Sequence, residues 1–211
     1  MTETITPHGK RGRRSGREAA HSRQRILDAA LRCFARLGYK NTSNELVARE
    51  AGLTAGAIYK HFASKSDLYV HAFAQAELDI AAIGQQAALE GNNARQAIEA
   101  FFDSAERLYQ DKPDAARFLS QVSVEVFQHT ELAMPLAEKV KSGVEDLLKQ
   151  IIVQGKTRGE IAATVDADSL VELHVNAQLG IAQVSLFYGG DYYLAAMRNL
   201  RGNMLRLLFG S

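Results

Sequence analysis

Apolar residues recur every three to four positions along most of this chain, and almost nowhere do they alternate. From residue 22 the stripe Ile26, Ala30, Cys33 and Leu37, with Leu27, Leu31 and Phe34 beside it, predicts a helix that Gly38 ends. Tyr39, Lys40, Asn41 and Thr42 form a connection, and Thr42 or Ser43 caps the next helix. That helix carries Leu46, Val47 and Ala51 as apolar positions and Glu45, Arg49 and Glu50 as charged ones. Gly52 stands where a helix end favours a residue of positive φ, and Leu53 plugs the turn. Thr54 then caps a short helix over 55–61, with Ile58 and Phe62 four apart on one face.

Ser64 caps a long helix predicted over 65–89, with Leu68, Ala72, Phe73, Ala76, Ile80 and Ile83 at helical spacing. Gly91-Asn92-Asn93 is a turn. A helix over 94–109 points Ile98, Phe101, Phe102, Ala105 and Leu108 inward, and Pro113 opens another through Phe118, Val122 and Val126 to 128. The pattern next predicts one helix over 131–156, with Val140, Val144, Leu147, Leu148 and Ile151 inward and Pro135 in its first turn. Asp166 or Asp168 caps a helix over 167–188, and Gly189-Gly190 separates it from a last helix over 191–208. The fold class expected is all-α, with about nine helices.

Two helices joined by a short turn containing Gly make a helix-turn-helix, whose second helix fits the major groove of B-DNA. Here that second helix is nearly bare at its start: Ala55, Gly56 and Ala57 let the backbone come close to a surface. Tyr59, Lys60, His61 and Lys65 follow as donors to phosphate oxygens. With Thr42, Ser43 and Thr54 they are the candidate DNA-binding residues. The run AREAGLTAGAIYKHFASKSDL, residues 48–68, resembles the DNA-binding signature of the TetR family of bacterial transcriptional regulators. The likeness is specific over 22–70, and a weaker one lies in GEIAATVDADSL at 159–170. Asn44 and Leu46 depart from it, since the family usually has an apolar residue at the first position and a polar one at the second. A different packing of that helix's first turn is therefore expected.

The helix over 167–188 is apolar most of the way round and needs cover on more than one side. Two such helices meeting their symmetry mates would make a four-helix homodimer interface, which the resemblance also implies. Leu170, Ala177, Ile181, Val184, Tyr188, Leu200 and Met204 are its expected residues.

Charge sharpens the division. Residues 1–65 hold 13 Lys and Arg against 5 Asp and Glu, and residues 66–211 hold 12 against 19. A basic head on an acidic body suits a DNA-binding domain carried by a domain that does not touch DNA. The expected organisation is a disordered basic arm over 1–20, a helix-turn-helix domain over 21–66, and a ligand-binding and dimerisation domain over 67–211. The arm reads equally as a source of phosphate contacts or as a solvated tail. One cysteine, Cys33, allows no internal disulfide, and no apolar segment suits a secretion signal or a membrane span, so a cytoplasmic location without membrane contact is expected.

No catalytic, metal or nucleotide-binding motif stands out. The six histidines, His8, His21, His61, His71, His129 and His174, are scattered, and no GxSxG, GxGxxG or GxxxxGK[ST] occurs. His174 and Glu125 lie on apolar stripes, where satisfied core groups outnumber ligand contacts. No cofactor, metal or enzyme activity is expected. The reading is a homodimeric repressor that binds a double-stranded DNA operator and is released by a small apolar or amphipathic effector. The rivals are a DNA-binding protein controlled by a protein partner and a helical-bundle enzyme with a DNA-binding head.

Overall fold

The computed structural model describes residues 10–89, 91–139 and 143–210, and within them the chain is ten α-helices and one 3₁₀ turn with no strand. Helix α1 spans Lys10–Asn41, broken once at Gly38, where φ 74° and ψ 173° interrupt the hydrogen-bond ladder. A side chain is excluded there twice over. Positive φ disfavours any Cβ, and one placed there would stand 2.7 Å from Glu125 Oε1. Residues 10–20, expected as a disordered arm, are already helical. Arg17, Glu18, Ala19 and Ala20 are good helix formers, and they extend a helix whose nucleus the buried stripe downstream supplies. Residues 1–9 of that arm lie outside the described residues. Leu37, expected in the stripe, is exposed beside the break.

Helix α2 (Asn44–Glu50) starts at Ser43, whose Oγ accepts from Leu46 N at 3.2 Å. It ends in a Schellman motif: Gly52 N donates to Arg49 O at 3.0 Å and Leu53 N to Ala48 O at 2.9 Å, with Gly52 at φ 65°. Arg25 of α1 adds a bond from Nη2 to Ala51 O at 2.5 Å, so the end of α2 is tied to α1. Helix α3 (Ala55–Tyr59) is held by Ile58 and Phe62, both fully buried. Helix α4 (Lys65–Leu89) is locked at its start by a reciprocal pair. Ser64 Oγ accepts from Asp67 N at 3.0 Å, and Asp67 Oδ2 accepts from Ala63 N at 2.8 Å.

Asn93 caps α5 (Ala94–Asp111), and Pro113 occupies the first turn of α6 (Pro113–Gln128). The single helix expected over 131–156 is instead a 3₁₀ turn at Thr130–Leu132, α7 (Ala133–Lys139) and α8 (Gly143–Thr157). Residues 140–142, with the expected inward Val140, lie outside the described residues. The separation has a packing reason. Leu132 and Leu136 bury into one core, whereas Leu147, Leu148 and Ile151 bury into another. Asp166 Oδ1 caps α9 (Ala167–Tyr188) by accepting from Asp168 N and Ser169 N, and Gly189 at φ 82° turns the chain into α10 (Gly190–Phe209).

The first core joins α1, α2, α3 and the first half of α4 to Phe118 of α6, Leu132 of the 3₁₀ turn and Leu136 of α7. Its centre is aromatic: Phe34, Tyr69 and Phe118 meet with centroids 4.8–6.1 Å apart. This core runs through the domain boundary expected at 66. The second core is built from α5, α8, α9 and α10 around Ile98, Phe102, Leu148, Ile152 and Met197. Helix α4 belongs to the first core at its start and packs on α5 and α8 further along. Among the described residues no helix is long and apolar enough to cross a membrane.

Candidate nucleic-acid interface and ligand cavity

Helix α3 presents a bare outer face because its inner face is fully used. Ile58 has no exposed surface and Phe62 has 1%, so the side opposite them turns outward. On that side Gly56 is exposed, and a Cβ there would meet nothing within 4 Å. Thr54 holds the N-cap position yet makes no side-chain cap hydrogen bond, which leaves its hydroxyl for an outside partner. Ala55, Ala57 and His61 are half-buried, and Tyr59 and Lys60 are exposed at the end of the helix. Ser43 is exposed at the start of α2 while its Oγ caps that helix.

Two expected contact residues are placed otherwise. Thr42 is 1% exposed, and its Oγ1 donates to Gly38 O at 2.8 Å, closing the chain across the break in α1. A β-branched hydroxyl that close to the unpaired carbonyl of a broken helix satisfies it locally. Lys65 turns inward: Nζ donates to Tyr39 O at 2.8 Å and lies 4.2 Å above the Tyr39 ring. Its charge is spent on a carbonyl and an aromatic face. Asn44, the position that departs from the family signature, is buried with Oδ1 unpartnered, while Leu46 packs half-buried on the core.

The Tyr39 peptide is a junction. Its N–H donates to Glu125 Oε1 of α6 at 2.8 Å, and its carbonyl takes Lys65 of α4. His129 stands behind Glu125, with Nε2 3.5 Å from Oε2, and its ring packs on Tyr39 at 4.9 Å. Arg36 of α1 pairs with Asp114 of α6 at 3.0 Å. The helix-turn-helix head is thus fastened to α4 and α6 by polar contacts as well as by the shared core.

Behind that junction lies a cavity of about 240 Å³ between α4, α6 and α9, walled by Phe73, Leu108, Leu119 and Val122 among others. The polar side chains that face it, none of them selected as a site from the sequence, include Glu77, His174, Gln178 and Tyr193. His174 is 1% exposed and packs edge-on against Phe101 and Phe102; neither ring nitrogen makes a hydrogen bond of good geometry, although Gln178 stands close enough to interact with the ring. Burial pushes its pKa down to about 4, so the ring is neutral. Burial, with Glu145 adding repulsion, pushes the Glu77 carboxyl up to about 7. Tyr193 stacks on Tyr109 at 4.7 Å, and burial pushes its hydroxyl up to about 12. Two signals were present in the sequence: His174 on the apolar stripe of α9, and Glu77 in register with Phe73 and Ile80, a charge on the apolar stripe of α4. Among the described residues no cluster of three or more His, Cys, Asp or Glu is placed to hold a metal.

Of the expected seam residues, Met204 is 1% exposed and belongs to the second core. The helical spacing could not tell an outward methionine from one facing α5. Leu170, Ile181 and Leu200 are half-buried against that same core, with Ala177 and Val184 also half-buried. Tyr188 is exposed, and beside it α9 exposes Leu173, Leu179, Leu186 and Phe187, the last by 86%.

Residues 26–72 match the family model described as bacterial regulatory proteins, tetR family. The chain is 46% identical over 68 residues to the transcriptional regulator AcrR of Shigella flexneri, 32% of each chain. That match spans about a third of the relative's length. Two solved structures share the fold over nearly the whole chain. The fatty acid degradation regulator FadR of Bacillus halodurans superposes with a TM-score of 0.75 at 19% identity, over 87% of this chain and 94% of the other. FadR of Bacillus subtilis, in complex with stearoyl-CoA, gives 0.73 at 20% identity, over 89% and 98%. With α2 and α3 forming a capped helix-turn-helix on the matched residues, the head of this chain is a helix-turn-helix domain of the TetR family, carried on an all-helical body.

Proposed function

We propose that the protein is a homodimeric transcriptional regulator that binds an operator through α3 and leaves it when a small molecule fills the cavity. The observation that carries the DNA-binding half is the outer face of α3, exposed, nearly free of side-chain bulk and open above Gly56. Thr54, Tyr59 and Lys60 flank it, and Ser43 adds a hydroxyl from the neighbouring helix. The cavity supports control by a ligand rather than by a protein partner, since a filled core would leave a ligand no room. The acyl-CoA bound by the B. subtilis relative shows that a protein of this fold takes up a small molecule.

The mechanism follows from the junctions. Five residues separate α3 from α4, whose middle forms a cavity wall with Phe73, Glu77 and Ile80. A ligand that favours one tilt of α4 and α6 moves the Tyr39 peptide and, through the shared core, α3. In a dimer the two α3 helices must stand about 34–36 Å apart to enter successive major grooves. A ligand preferring another spacing weakens operator binding by linkage. The test is selection of duplexes from a random library by the purified protein, followed by binding of the selected duplex to wild type and Gly56→Val. Recovery of a palindromic duplex that the folded variant no longer binds is the expected result. Selection without enrichment sinks the reading.

A further inference from the structure

Among the described residues that line the cavity, the charged side chains have one sign. Glu77 projects from α4 between Phe73 and Ile80, half-buried, and among the described residues no hydrogen-bond donor or basic side chain pairs with it. The groups that face the cavity from the other elements are Ser120 and Ser123 on α6, Glu145 on α8, His174 and Gln178 on α9, and Tyr193 on α10. None is Lys or Arg. His174 is held neutral by burial, so it supplies no positive charge either. A carboxylate in such a place is costly alone, and an anionic ligand would add a like charge to it. A cation would restore what burial removed.

We propose that the effector is a compact apolar molecule bearing a cationic nitrogen, an amine or quaternary ammonium, whose charge Glu77 receives. The apolar body lies against Leu108, Leu119 and Val122, and His174, Gln178 and Tyr193 offer neutral polar contacts at the α9 side. The inference rests on the reading of this cavity as the effector site. Because Glu77 titrates near 7, a cation meets more carboxylate at pH 8 than at pH 6, and its affinity rises with pH. His174 and Tyr193 stay neutral across that range.

Three probes of closely similar shape separate charge from shape: benzyltrimethylammonium, its neutral carbon isostere neopentylbenzene, and the anion 2,2-dimethyl-3-phenylpropanoate. Each is titrated calorimetrically into wild type, Glu77→Gln and Glu145→Gln at pH 6 and pH 8. The expected result is that wild type binds the cation most tightly, about tenfold more tightly at pH 8 than at pH 6. Glu77→Gln loses that pH dependence and weakens the cation about tenfold or more at pH 8, while neopentylbenzene binds within about twofold of wild type, which shows the cavity intact. Glu145→Gln keeps the rise. Preference for the neutral or anionic probe, or an unchanged pH dependence in Glu77→Gln, overturns the charge assignment and leaves the cavity as an effector site. Binding of none of the three overturns both.

Discussion

Gly56 carries no side chain, and nothing inside the protomer requires it to be bare. A Cβ there meets no atom within 4 Å and the residue is helical, where valine is a slightly better helix former than glycine. The requirement must come from outside. Gly56→Val is expected to abolish operator binding while its melting temperature stays within about 2 °C of wild type. Retained binding by the folded variant would place DNA elsewhere. Lys60 and Thr42 make a paired control. Lys60→Ala removes an exposed charge and should flatten the salt dependence by about one unit of slope. Thr42→Val removes only the hydroxyl bonded to Gly38 O, costing about 1 kcal/mol of stability with the slope unchanged. Sequence alone put both residues on the DNA, because a hydroxyl next to a helix start looks the same whether it faces phosphate or its own backbone. His174 gives a second residue-scale expectation. Its pKa is lowered by burial, so its stabilising contribution is present above the unfolded value of 6.5 and is lost as pH falls toward 4. Between pH 7 and pH 5 that loss is about 2 kcal/mol. Glu77, raised by burial, works in the opposite direction: the folded protein gains as pH falls from 7 toward 4.5. Wild type alone would therefore hide both effects. Denaturant unfolding of His174→Phe should show the variant gaining about 2 kcal/mol on wild type from pH 7 to pH 5. Parallel stability curves would mean that water reaches the ring.

At the scale of elements, most of the helices were legible because apolar residues repeat at helical spacing and caps mark the ends. Ser43, Ser64, Asn93 and Asp166 all accept backbone N–H groups at helix starts. What the pattern could not tell was which core an apolar stripe joins. The stretch 131–156 reads as one helix, yet Leu132 and Leu136 serve the first core and Leu148 and Ile152 the second. The clamp on Tyr39 was equally hidden, since Glu125 lies 86 residues away in sequence. That clamp makes α6 the partner of the break in α1. Glu125→Ala leaves the Tyr39 N–H without an acceptor in a part-buried site, and a loss of about 1–3 kcal/mol is expected. The variant should also bind operator less sensitively to ligand, because one of the ties between cavity wall and head is gone. Unchanged stability in urea would show that water replaces the carboxylate.

For the whole molecule, the decisive question is how two heads are held at one spacing. The cores of the protomer consume much of the seam that periodicity suggested: Met204 is buried, and Ile181 and Leu200 pack half-buried against the second core. A charge at Ile181 would therefore damage the protomer and the dimer together. The large apolar residues left uncovered on the last two helices are Leu173, Leu179, Leu186, Phe187, Tyr188, Tyr192 and Leu207. Apolar side chains exposed on adjoining helices favour cover, and in the proposed dimer a second copy supplies it symmetrically. Phe187, exposed by 86%, contributes little to the protomer, so Phe187→Glu tests association alone. Leu173→Glu, 51% exposed on the same helix, is the second variant. Each places a carboxylate opposite its own symmetry mate in an apolar seam, and several kcal/mol of association are expected to be lost. Sedimentation should show monomers that melt at the wild-type temperature. Operator binding should fall with them, because a single head makes half the contacts and gains nothing from the linked second half-site. A dimer that persists in both variants would move the interface off α9, and with it the argument that α9 forms a cavity wall and the dimer seam at once.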